Sequence, residues 1–133
     1  MQFFRKNPFL PAVLFFVLTV VLLTLPGNRF PKSHLFDIPY FDKWVHIGLF
    51  GLLCFLFSFP VQDFSITHSQ KRNRFFLITL LGIGYGTLME FVQKYWIPNR
   101  SFEGMDIVAD CVGSILVLML SLQILRKRKQ PRV

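Results

Sequence analysis

Four apolar runs leave this chain few folds to choose from. A helix crosses the ~30 Å hydrocarbon core with about 20 apolar residues, within a range of about 17–25. Runs of about that length occupy 9–25, 44–59, 75–96 and 105–125. The first holds no ionisable residue, the second only His46, the third Glu90 and Lys94, and the fourth Asp106 and Asp110. Turn formers separate them: Pro26-Gly27, Pro31 and Pro39, then Pro60, then Pro98. None of the runs alternates as a transmembrane barrel strand would. The expected fold is an all-α membrane protein, a single domain over 1–133, built as an antiparallel bundle of four transmembrane helices. Arg5 and Lys6 precede the first run as in a signal peptide, but its 17 apolar residues exceed the usual ~7–15, and no small-x-small cleavage site follows Leu25. A retained anchor is expected.

Charge sets the orientation. The 133 residues carry 15 Lys/Arg against 7 Asp/Glu, a formal net charge of +8, while only 17% are charged and 53% are apolar. So apolar a chain is not disordered, and a basic balance of this kind points to nucleic acid only if the bases share one face. They do not. With four spans, Arg5, Lys6, Lys71, Arg72, Arg74, Arg126, Lys127, Arg128, Lys129 and Arg132 fall on one side, and Arg29, Lys32, Lys43, Lys94 and Arg100 on the other. Ten bases against five place both termini in the cytoplasm by the positive-inside rule. Tyr40, Trp44, Tyr95 and Trp96 then lie at the outer ends of spans two and three, where amphipathic rings favour the headgroup layer. No nucleic-acid partner is expected; the partners are membrane lipids.

Intramembrane ionisable residues each cost about 2.5–3.5 kcal/mol on insertion scales, so their placement is informative. At about 1.5 Å per residue, His46 lies about 3 Å inside the outer end of span two, Glu90 about 9 Å from Trp96, and Asp106 and Asp110 about 2–8 Å into span four. Four polar side chains on three helices thus converge at one depth. Glu90 and Gln93 share a face with Gly86 and Gly82, and Asp106 and Asp110 share one with Gly113 and Ser114. Small residues allow membrane helices to approach closely, so the acids should point into the bundle. Lys43 and Arg100 are their expected cationic partners, and Glu90 is expected to pair with Arg100 or His46 or to serve a site. His34 and His68 read as solvated. Cys54 and Cys111 read as buried thiols, with no disulfide framework or zinc spacing.

The order and spacing of these residues resemble the VanZ-like family of small bacterial membrane proteins. Asp42-Lys43-x-x-His46 opens the second span; Glu90-x-x-Gln93, Pro98-x-Arg100 and Asp106-x-x-x-Asp110-x-x-Gly113 run from the third into the fourth. The likeness covers about Asp42 to Gly113. Three positions depart from the pattern: Asp110 stands where Asn is frequent, Phe50 where a hydroxylated aromatic is frequent, and Val117 where Gly is frequent. The resemblance implies a multi-pass protein of the bacterial inner membrane with a cell-envelope role, glycopeptide resistance being known for some members. It picks out Asp42, Lys43, His46, Glu90, Gln93, Arg100, Asp106 and Gly113, and supplies no reaction.

Two functions of different class fit the residues. In the first, a non-catalytic pocket of Asp42, Lys43, His46, Glu90, Gln93, Arg100, Asp106 and Asp110 binds a lipid headgroup, a lipid-linked cell-wall intermediate or a glycopeptide. Lys43 and Arg100 would meet its anionic group. In the second, a small intramembrane hydrolase or transferase acts on lipid headgroups, with His46 as base, oriented by Asp42 or Asp110, and Glu90 as acid. No nucleophile motif accompanies it; Ser101 is the conspicuous hydroxyl nearby. No cofactor is expected, although a divalent metal on His46, Glu90, Asp106 and Asp110 is a variant of the second reading. A small proton-coupled exporter is a weaker third, because Glu90 lies off the midplane.

Overall fold

A computed structural model describes residues 7–26 and 40–129. They form four helices: α1 (Leu10–Thr24), α2 (Phe41–Val61), α3 (His68–Trp96) and α4 (Gly104–Lys129). Arg5, Lys6, Arg29, Pro31, Lys32, His34, Asp37, Pro39 and Arg132 lie outside the described residues. At 1.5 Å per residue, α2, α3 and α4 are about 32, 44 and 39 Å long, and all three are long and apolar enough to cross a membrane. Their outward faces are apolar: Leu52 and Phe59 on α2, Leu80, Leu81 and Leu88 on α3, and Leu116 and Met119 on α4 are all exposed. Such a continuous apolar exterior is foreign to a protein bathed in water. The chain is a multi-pass membrane protein by helix length and hydropathy.

The first expected span, 9–25, is occupied by α1. Helix α1 has 15 residues, about 22 Å of helix, and is shorter than the other three. Proline bounds it at both ends. Pro11 stands in its first turn, and Pro26 forces the preceding Leu25 out of the helical region, to ψ 133°. The other boundaries also move. Helix α3 starts seven residues before Phe75, because Thr67 and Gln70 form a reciprocal capping box: the Thr67 hydroxyl accepts from Gln70 N–H, and the Gln70 side chain accepts from Thr67 N–H.

The helices run up and down in sequence order. Phe9, before α1, packs edge-on against Phe64 with ring centroids 5.8 Å apart, and Leu23 near its end meets Gln93 of α3. The start of α1 and the end of α4 therefore lie at the end of the bundle away from His46. Between the two ends, α2 and α4 cross backbone to backbone. A Cβ on Gly113 would fall inside contact distance of Ile47 O and 2.9 Å from Gly51 N, so only glycine permits this approach. On α3, a Cβ on Gly82 would lie 2.7 Å from Cys54 Sγ, and one on Gly86 would strike the Asp110 carboxylate. The small-residue stripes do face inward. Two apolar layers flank the crossing. Leu23, Phe50 and Met89 form one, beneath the polar cluster; Val61, Phe75 and Leu125 form the other.

Candidate functional site

The polar cluster begins with His46, in the second turn of α2. Its ring is buried and lies flat beside Phe50, at 9° and 6.3 Å between centroids. Phe50 itself is fully buried, with the Tyr85 ring 5.5 Å away. Phe50 thus fills this layer with hydrocarbon, and the hydroxyl in it is that of Tyr85, which shares a hydrogen bond of 3.1 Å with Thr19 of α1. His46 takes its partners from α4. Its Nδ1 lies 2.9 Å from Asp110 Oδ1, and its Nε2 lies 3.6 Å from Asp106 Oδ2. The spacing of four residues sets both acids on one face of α4, one turn apart, so that the imidazole sits between them.

Glu90 stands beside this pair and is almost wholly buried. Its Oε2 accepts the backbone N–H of Glu103 at 2.9 Å, a partner not expected from the sequence. Glu103 immediately precedes α4, so the Glu90 carboxylate holds an otherwise orphaned donor at the positive end of the helix dipole. Lys43 pairs as expected. Its Nζ reaches Asp106 Oδ1 at 2.7 Å, Asp42 Oδ2 at 2.5 Å and the Glu103 carboxylate. One ammonium therefore joins the start of α2 to the start of α4. Among the described residues, the acids of the cluster are held by Lys43, His46 and backbone. Arg100 donates its Nε to Leu25 O at 3.4 Å, and Gln93 donates its amide to Leu23 O at 3.0 Å. These two residues fasten the end of α1 to the rest of the bundle.

A cleft of about 450 Å³ opens beside the cluster. Leu22, Leu23, Phe41, Val45 and Leu49 are its apolar lining. Asp42, His46, Gln93, Asn99, Arg100, Ser101, Glu103 and Asp106 are its polar lining. Asn99 turns the chain from α3 towards α4 in the left-handed region, φ 58°, which asparagine tolerates better than most residues. Tyr40, Trp44, Tyr95 and Trp96 are all exposed at this end of the bundle, as amphipathic rings at a headgroup layer would be.

The structure thus brings together Asp42, Lys43, His46, Glu90, Asp106 and Asp110, with Gln93 and Arg100 on the cleft wall. Sequence reasoning missed Glu103, which lines the cleft and holds Lys43. Its signal was its place just before the first turn of α4, where an acid favours the helix N-terminus. His68 is exposed as expected. Cys54 is buried, whereas Cys111 is only half-buried. At the opposite end, Arg128 donates to Asp63 and to Gln62 O, and the Gln62 amide donates to Ser121 O. These contacts close the α2–α3 turn onto α4.

No family model matches the chain, and no solved structure matches it. An uncharacterized protein of the fission yeast Schizosaccharomyces pombe is 33% identical over 91 residues, which are 68% of this chain and 52% of the yeast protein. The chain spans about half the length of this relative.

Proposed function

We propose that the protein is a VanZ-like, multi-pass protein of the bacterial inner membrane with cytoplasmic termini, and that its cleft holds the polar headgroup of an amphiphile at the outer leaflet. One observation carries this reading: the cleft is lined both by apolar side chains and by side chains of mixed charge, which suits a molecule with an acyl or prenyl chain and a charged head. A membrane lipid, a lipid-linked cell-wall intermediate and a glycopeptide share that chemistry, and the last connects the protein to teicoplanin resistance. The likeness to a yeast protein favours a ligand that bacteria and fungi both contain, which a glycerophospholipid is.

The charges sharpen the choice of headgroup. Asp42, Glu103 and Asp106 line the cleft with Arg100, so an amine can meet the carboxylates while a phosphate or carboxylate of the same ligand meets the guanidinium. A zwitterionic head such as phosphoethanolamine fits both. Phosphatidylethanolamine and diacylglycerol, each supplied to the detergent-purified protein, should separate in native mass spectrometry, with the zwitterionic lipid retained and the headless one lost. Asp42→Asn with Glu103→Gln should reduce retention about tenfold, equivalent to about 1.4 kcal/mol. Equal retention of both lipids would defeat the reading.

The His46–Asp110 pair supports a second reading, a hydrolase or transferase, since a carboxylate on Nδ1 orients an imidazole as a general base. Release of the headgroup in the same assay, lost in His46→Ala, would favour it over simple binding.

A further inference from the structure

We infer that His46, Glu90 and Asp106 form a binding site for a divalent transition-metal ion. One ligand atom from each of these buried residues can be chosen so that all three lie within 4.8 Å of one another. Ligand atoms bound to one ion at about 2.0–2.2 Å stand about 3.0–3.6 Å apart. The separation of 3.6 Å between His46 Nε2 and Asp106 Oδ2 lies at the upper end of that range, and a Glu90 carboxylate oxygen stands within the same 4.8 Å limit.

An independent observation points to a cation here. His46 is only 6% exposed, and its Nε2 makes no hydrogen bond among the described residues. At 3.6 Å, Asp106 Oδ2 is beyond normal hydrogen-bond reach. The other nitrogen, Nδ1, is held by Asp110 at 2.9 Å. With the proton on Nδ1, shared with Asp110, Nε2 keeps a lone pair for an ion, on the side where Asp106 Oδ2 stands. This carboxylate–histidine arrangement is the outer shell that orients metal-binding imidazoles. Lys43 occupies the other oxygen of Asp106, at 2.7 Å, leaving Oδ2 for the ion. One imidazole nitrogen with two carboxylates suits Zn²⁺ or Mn²⁺ better than Mg²⁺ or Ca²⁺, which prefer oxygen alone. The ion would add positive charge beside the cleft, where a phosphate could reach it. The site does not depend on the headgroup reading, because ion binding can be measured with no lipid ligand added.

The test is calorimetric titration of the detergent-purified, chelator-stripped full chain with ZnCl₂ and MnCl₂, followed by thermal unfolding. The expected result is one ion per chain, a dissociation constant below about 10 μM and a higher Tm with metal. Glu90→Gln and Asp106→Asn should weaken binding at least about 100-fold, and Asp110→Asn about 10–100-fold through loss of the outer shell. His68→Ala, on an exposed residue, should bind as the wild type does. The stripped wild type keeps the test decisive if a variant fails to fold: no binding of either ion below 1 mM (about 4.1 kcal/mol) would overturn the site. Equal binding by a folded His46→Ala would overturn it too.

Discussion

Gly113→Ala tests the helix crossing on which the polar cluster depends. The added methyl would fall inside contact distance of Ile47 O, 2.9 Å from Gly51 N and 3.1 Å from Ile47 C. All three are backbone atoms, so no side-chain rotation relieves the overlap. Restoring an ordinary contact of 3.4 Å or more requires α2 and α4 to separate by about 1 Å. The hydrogen bond between His46 and Asp110, 2.9 Å long, spans the same two helices one turn away. Stretched by about 1 Å, it is lost. Overpacking costs about 1–3 kcal/mol, and a buried acceptor left without its partner about 1–3 kcal/mol more, for a loss of about 2–6 kcal/mol. The control is Gly48→Ala, where an added Cβ meets nothing within 4 Å and helix propensity gains up to about 1 kcal/mol. Thermal unfolding in detergent should show a large fall in Tm for Gly113→Ala and no fall for Gly48→Ala. Equal Tm values for the two variants would refute the close crossing.

Three further outcomes follow from the structure. Tyr85→Phe removes the hydroxyl that joins α3 to Thr19 of α1 and should cost about 0.5–1.5 kcal/mol, read as faster hydrogen exchange in α1 with α4 unchanged. Thr67→Ala removes half of the capping box and should cost about 0.5–2 kcal/mol, with faster exchange confined to the first turns of α3. Ser101→Cys, exposed beside the cleft, should react with an impermeant maleimide added outside intact cells; labelling only after permeabilisation would invert the proposed topology.

Much of this fold is legible in the sequence because hydropathy and helical spacing are the physics that decides it. The three long helices coincide with apolar runs, and the stripes of Gly82 and Gly86 and of Gly113 and Ser114 place the acids inward, since only a face without bulk can approach another helix. The length of α1 was less legible: an apolar run records composition, whereas its ends are set by Pro11 and by the constraint that Pro26 places on Leu25. The early start of α3 did have a signal, Thr67-x-x-Gln70, but it lies in polar sequence that a search for apolar runs passes over. Partner choice was the least legible. Glu90 binds a backbone N–H, and Gln93 and Arg100 bind carbonyls at the end of α1; such groups are present at every residue, and only the fold decides which are near. Lys43 was easier, because opposite charges at the starts of α2 and α4 have few other ways to be satisfied.

The most direct measurement of the buried cluster is the protonation pattern of His46, by ¹⁵N NMR of histidine-labelled, chelator-stripped protein in detergent. The chain has three histidines, and His46→Gln assigns the resonances. The arrangement requires a slowly exchanging proton on Nδ1 and a spectrum altered by Asp110→Asn. A His46 ring that exchanges its proton as fast as exposed His68, or carries it on Nε2 alone, would contradict it.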